Sequence, residues 1–410
     1  MYFATTRLET GLKRAVVAAG LLTFAACSDN PTGPPPSGDT QTPELGAKSQ
    51  GTSNTIPGEY IVVFRDEVTN SDAVATSLAA IHRASIHHTY SAALKGFAAS
   101  MSAQAAANLG RDPRVAYIEP DQVVQADGTQ QMDAAGNPWG LDRIDQHPLP
   151  LSGSYTYATT GGGVFAYIID TGIQADHPQF ALRVGSRAQD VFDAFGGAGN
   201  DCNGHGTHVA GTVGGKTYGV AKSVKLRGVK VLDCTGHGTT SGVIAGVNWV
   251  LQNHLNPAVA NLSLGGGKST ALNTAVNNLA NAGVFVAVAA GNDNLDACTQ
   301  SPSSATAAFT TAASTKTDHK ASFSNFGSCV DGYGPGVSIK SAWIGGITAF
   351  LSGTSMASPH VTGVAALYKQ VNGNQSSATI NTWIKLNATQ GSIIGNVAGT
   401  PNRLLFKSTL

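Results

Sequence analysis

From Pro138 onward, short apolar runs alternate with segments of helical spacing, and few folds accept that pattern. Residues 164–169, 224–232, 259–264 and 284–290 read as strands. Between them, residues 205–213, 240–252 and 270–282 read as helices. Apolar runs without alternation indicate strands covered on both faces. Strand–helix alternation adds a parallel sheet with right-handed crossovers. The fold class expected for this part is therefore α/β, a parallel sheet with helices on both faces. Ligands of such sheets sit outside the carboxyl ends of the strands, so polar residues there are the first candidates for chemistry.

Four residues meet that criterion or lie at a helix start. Asp170 closes the run Ala166-Tyr167-Ile168-Ile169, where a carboxylate is costly unless partnered. His205 lies in Gly204-His205-Gly206-Thr207-His208, among small residues that let another backbone approach. Asn292 follows the strand at 284–290 and would bring two amide donors to its end. Ser355 opens an apolar helical segment in Gly353-Thr354-Ser355-Met356-Ala357-Ser358-Pro359-His360. At a helix N-terminus the backbone N–H groups point outward and favour negative charge. Singly, each has a common structural role: turn, core histidine, turn asparagine, N-cap. Together they supply a nucleophile, a base, an acid that orients the base, and an oxyanion donor. The chain order Asp…His…Ser is one of the known orders of that arrangement. His205 and His208 could instead bind a metal, but no Glu lies between them as a zincin requires.

The N-terminal third is organised differently. Arg7, Lys13 and Arg14 precede a short apolar run ending in Ala25-Ala26-Cys27, the layout of an export signal. Cys27 sits where a bacterial lipoprotein signal would be lipidated; the alternative is cleavage and release. Residues 28–56 are rich in Pro, Gly and small polar residues and form a linker. Residues 57–125 read β-α-β-β-α-β, the order of a ferredoxin-like α+β unit. His82, His87 and His88 within it are expected to be surface groups. Residues 126–137 are again polar and read as an exposed linker open to proteolysis. Formal net charge is zero over 410 residues, without long basic runs, which argues against a nucleic-acid partner. Apart from Cys27, four cysteines remain, Cys202, Cys234, Cys298 and Cys329. An even set in an exported chain suggests two disulfides, with three possible pairings.

The segments AYIIDTGI, GHGTHVAGT, NLSLGGG, AVAAGNDN and GTSMASPHV resemble those of the subtilisin-like serine peptidases. The likeness is greatest to the proteinase K branch and its aqualysin-type enzymes, and runs from Pro138 to the C-terminal Asn402-Arg403-Leu404-Leu405. It implies a secreted serine endopeptidase with Asp170, His205 and Ser355 as triad and Asn292 as oxyanion residue. It implies that Gly236, His237, Gly238 and Ser263, Leu264, Gly265 bind extended substrate as an added strand. Ala289, Ala290 and Gly291 resemble a specificity-pocket wall whose small lining suits apolar or aromatic residues before the cleaved bond. Thr240 stands where proteinase K has a tyrosine, and Val209 where relatives often have a cysteine. The disulfide pairs implied are Cys202–Cys234 and Cys298–Cys329.

Structural calcium is implied at two sets: Asp331 with the carbonyls of Thr306 and Ala308, and Asp142, Asp145 and Gln146, whose oxygens suit Ca²⁺. The 57–125 unit resembles an inhibitor-like propeptide that chaperones folding and is cut off near Gln131. A monomer acting on polypeptides is expected. A catalytically silent relative and a lipid-anchored processing protease are the competing readings; all four filled catalytic positions weigh against the first.

Overall fold

The computed structural model describes residues 55–91, 95–122 and 128–410. The expected signal and the first linker up to residue 54 lie outside the described residues. The chain divides into two compact units, Met1–Val123 and Val124–Leu410.

The first unit runs β1 (Thr55–Phe64), α1 (Ser71–His82), β2 (Ser85–Tyr90), β3 (Gly96–Ser100), α2 (Ala103–Leu109) and β4 (Val115–Gln122). Its antiparallel sheet has the order β2-β3-β1-β4, as the ferredoxin-like pattern requires. Local signals start both helices: Asn70 Oδ1 accepts the Ala73 N–H, and Ser102 Oγ that of Ala105. Val62, Phe64, Leu78, Phe97 and Leu109 fill the space between helices and sheet. His87 pairs with Glu59 at 3.0 Å on the surface.

The second unit begins with β5 (Gly128–Gln131), α3 (Trp139–Ile144), β6 (Ser154–Tyr157), β7 (Phe165–Asp170), β8 (Ala188–Asp193), α4 (His205–Gly214) and β9 (Lys225–Lys230). It continues with α5 (Thr240–Asn253), β10 (Ala258–Leu262), β11 (Gly266–Gly267), α6 (Thr270–Asn281), β12 (Phe285–Ala289), β13 (Gln300–Ser301), β14 (Phe309–Ser314) and β15 (Gly332–Pro335). The hairpin β16 (Ile339–Trp343) and β17 (Ile347–Leu351) leads into α7 (Thr354–Asn372), α8 (Ser377–Asn387), β18 (Thr389–Gln390) and β19 (Arg403–Leu404). Among the described residues a nine-stranded sheet has the order β18-β19-β15-β14-β12-β10-β7-β9-β8. Its pairs are parallel except β18 with β19.

The unbroken apolar runs follow from burial on both faces. Ala166, Ile168, Val259, Phe285 and Ala287 point into one core with residues of α4, α7 and α8. Their neighbours Tyr167, Ile169, Ala260, Val286 and Val288 point into the other, with α5 and α6. Helix α7 is buried almost all round, from Thr354 to Leu367, so its first turn is held by packing as well as by hydrogen bonds.

Two features depart from the sequence pattern. Residues 126–137 read as a linker, yet β5 pairs antiparallel with β6 and Met132 packs against the core. The polarity that suggests a linker is met by turn bonds: Asp133 Oδ1 accepts the N–H groups of Ala135 and Asn137. Strand β14 carries Thr310, Thr311 and Ser314, all buried, and so shows no apolar run. Two of the three hydroxyls find partners within the fold: Thr310 donates to the Ser303 carbonyl, and Ser314 to that of Gly334, while Thr311 Oγ1 is buried without one.

Candidate active site

Asp170 ends β7 and is fully buried. Its Oδ1 accepts the Thr171 N–H at 2.8 Å and lies 2.7 Å from His205 Nδ1. Nδ1 therefore carries the proton, which leaves Nε2 of the neutral ring as an acceptor. The His205 side chain is 26% exposed, so one edge reaches solvent while the other faces a dry carboxylate. Burial alone would lower the His205 pKa; the charge of Asp170 and its hydrogen bond outweigh it, Asp201 adds to them, and the net shift is upward.

The backbone around His205 is shaped by close approaches. Gly204 caps α4 with φ +112°, and a Cβ there would meet the Trp343 ring at 2.5 Å. A Cβ on Gly206 would lie 2.1 Å from the Gly172 carbonyl, so α4 can press its N-terminus against the end of β7. Asp201 secures this junction. Its carboxylate accepts from the N–H groups of Asn203, Gly204 and Thr207 and from the hydroxyls of Thr171 and Thr207. His208, one turn on, is different: Nε2 contacts the Ile339 carbonyl at 3.0 Å, and burial lowers its pKa to about 4. The two histidines do not converge on a common point of coordination, and no cluster of metal-binding side chains occurs among the described residues.

Ser355 is the second residue of α7. Its N–H is one of the helix-start donors without an intrahelical acceptor. Its hydroxyl donates to the Ser263 carbonyl at 3.2 Å, at the end of β10. Asn292 follows β12, and its Oδ1 accepts both the N–H and the hydroxyl of Thr354, at 2.8 and 3.0 Å. With the oxygen so engaged, Nδ2 is the donor this side chain has to offer. A Cβ built on Gly353 would lie 3.6 Å from both Asn292 Nδ2 and the Ser355 N, so the two donors flank one small space. The Thr354 hydroxyl also accepts the Gly291 N–H at 3.0 Å.

A cleft of about 430 Å³ is lined by His205, Gly236, His237, Gly238, Ser263, Leu264 and Gly265, with Leu232, Val243 and Leu272 adding apolar surface. The 233–237 turn is preformed. Asp233 Oδ1 accepts from the Thr235 hydroxyl and from the N–H groups of His237 and Thr235, and these donors lower its pKa to about 2. The disulfide Cys202–Cys234 joins this turn to the segment before His205, and Cys298–Cys329 forms as the second pair. Ala290 and Gly291 do not line this cleft. Ala290 is buried, with its carbonyl bonded to Asn325 Nδ2.

Of the two oxygen-rich sets, Asp142 accepts the N–H and hydroxyl of Ser152 and the N–H of Gly153. Asp145 accepts the Thr156 N–H at 2.6 Å, and Gln146 Oε1 that of Ser152. Asp145, Gln146, Ser152 and Ser154 line a pocket of about 490 Å³. In the other set Asp331 lies 2.6 Å from the Lys385 ammonium. Sequence reasoning overlooked Thr354, Asp201 and Ser263 Oγ. The first was legible beside Ser355 and the second four residues before His205, whereas Ser263 Oγ acts across 92 positions.

Residues 161–404 match the family model described as the subtilase family, peptidase S8, and residues 59–127 match peptidase inhibitor I9. An extracellular serine proteinase of a Thermus species is 48% identical over 94% of this chain and 97% of its own length. An alkaline serine exoprotease A of Vibrio alginolyticus is 47% identical over 86% of this chain and 68% of its own. The crystal structure of a cold adapted subtilisin-like serine proteinase is similar at 49% identity and a TM-score of 0.63, covering 66% of this chain and 98% of that one.

Proposed function

The chain belongs to the subtilase family and is a subtilisin-like serine endopeptidase behind an inhibitor I9 domain, and we propose that Asp170, His205, Ser355 and Asn292 carry its chemistry. The observation that carries this reading is the 2.7 Å contact between His205 Nδ1 and buried Asp170, with the Ser355 N–H and Asn292 amide flanking one space. Nε2 of His205 takes the Ser355 proton once the hydroxyl turns from the Ser263 carbonyl. The protonated ring then returns it to the leaving amine, and Asp170 holds the tautomer and stabilises the imidazolium. The Ser355 N–H and Asn292 Nδ2 receive the negative charge that develops on the carbonyl oxygen.

The peptide lies extended between Gly236–Gly238 and Ser263–Gly265. The cleft's apolar lining, Leu232, Val243 and Leu272, favours apolar or aromatic residues before the cut bond. The 57–125 unit serves as inhibitor and folding aid and is removed by a cut near Gln131 in the same chain. The mature part acts as a monomer. Its relatives include extracellular proteinases, and we infer export followed by release. Cys27 lies outside the described residues, and among the described residues no helix is long and apolar enough to cross a membrane.

Calcium fits one of the two sets. Asp145, Gln146, Ser152 and Ser154 bring hard oxygens to a shared pocket, Asp142 braces the loop that brings the serines there, and Lys407, which also lines the pocket, turns its ammonium to the Ser408 and Leu410 carbonyls. The ion would supply structural charge at this loop and takes no part in the peptide chemistry. The set at Asp331, Thr306 and Ala308 does not fit, because its carboxylate is already paired.

The test is the Ser355→Ala chain. It is expected to accumulate at full length with the inhibitor domain attached, while the wild type processes itself and reacts with a serine-directed phosphonate at Ser355. Normal maturation of the variant would remove Ser355 from the mechanism.

A further inference from the structure

Helix α8 turns one polar stripe toward the loop that precedes β14. Ser377, Asn381 and Lys385 recur every four residues and so share a face. The Ser377 hydroxyl and the Asn381 amide both reach the Ala307 carbonyl, at 3.5 and 3.3 Å. One turn further, Lys385 Nζ lies 2.6 Å from Asp331 Oδ1, the two side chains being 33% and 20% exposed. The other oxygen, Oδ2, accepts the Thr310 N–H at 2.8 Å. A second cation stands close by: Arg403 Nη1 donates to the Asp331 main-chain carbonyl at 3.4 Å.

Ala307 sits between Thr306 and Ala308, the residues whose carbonyls would share a divalent ion with Asp331. The stripe thus gives neutral donors to the carbonyl side and a positive charge to the carboxylate side of one place. A divalent ion at Asp331 would have to expel an ammonium from its only carboxylate and settle beside a guanidinium. Like charges brought together where solvent is partly excluded repel.

We propose that Lys385 is a chain-borne cation that takes the place of a divalent metal at Asp331. It ties α8 to the loops that enter β14 and β15 without any dependence on free calcium. The inference goes beyond the peptidase assignment and does not require it.

The experiment uses the purified, matured protein. Equilibrium dialysis with ⁴⁵Ca²⁺ counts the ions bound by the wild type and by Asp331→Asn. Equal counts are expected; one ion fewer in the variant would overturn the proposal. Calorimetry in excess chelator then compares the wild type with Lys385→Met, which keeps most of the apolar stem. Its Tm is expected to fall by about 2–4 °C, with kcat/KM on a small peptide unchanged below the transition. An unchanged Tm in chelator would also overturn it. Failure of the peptidase reading would appear separately, as absence of hydrolysis in the wild type.

Discussion

His205 is pulled in two directions. Burial disfavours its charge, and Asp170, joined by Asp201, favours it more, so its pKa lies above the ordinary histidine value. A pKa raised by folding contributes stability that is fully present below the unfolded value of about 6.5 and is lost as pH rises through the folded one. Catalysis needs the opposite state, the neutral ring. The acid limb of kcat/KM is therefore expected above pH 6.5, in the same window where this stabilisation fades. In Asp170→Asn the residual activity should have its limb displaced to lower pH, measured on a chromogenic peptide. A limb that stays in place would mean that another group titrates. His208 and His360 offer a contrast. Burial holds both near 4, so they remain neutral where His205 switches.

At the scale of the element, Pro359 explains why α7 needs help from β10. Proline has no N–H, so the carbonyl four residues earlier, that of Ser355, loses its helical donor. The Ser263 hydroxyl supplies one at 2.7 Å, and Asn261 Nδ2 orients that hydroxyl at 2.8 Å. Asn261 Oδ1 in turn accepts from Ser358 and Thr362, further along α7. Ser263→Ala should cost about 1–3 kcal/mol by leaving a buried carbonyl unpaired. Adding Pro359→Ala restores an N–H and should recover most of that loss; chemical denaturation of the four proteins of the cycle measures it. Additive costs would show that the two residues do not serve the same carbonyl.

This network also marks where sequence reading stops. The helix start at Gly353-Thr354-Ser355 and the strand end at Asp170 are local patterns, and both were legible. The helices 240–252 and 270–282 were legible to within a residue, because their apolar spacing is local too. The Ser263 and Asn261 contacts join residues 92 and 97 positions apart and leave no periodic trace. Lys385 is similar: a lysine near a helix C-terminus usually faces solvent, and only the packing of α8 turns this one onto Asp331.

For the whole molecule, the two-unit division assigns inhibitor and enzyme to separate cores, each with its own apolar interior. Strand β5 complicates that separation. It precedes the proposed cut at Gln131, yet its four residues pair with β6, Gly128 opposite Tyr157 through Gln131 opposite Ser154. Before cleavage this strand is tethered, and a short tether holds it at a local concentration of order millimolar. After cleavage the same strand is an ordinary ligand whose occupancy falls with its concentration in solution. Cleaved protein at equilibrium should therefore show a larger fraction of its full activity the more it is diluted, measured by peptide hydrolysis over a dilution series; a fraction independent of dilution would mean the strand adds no retention. With a cut at Gln131, retention of the strand becomes a matter of crowding: it stays where the cleaved protein accumulates and leaves where the protein disperses.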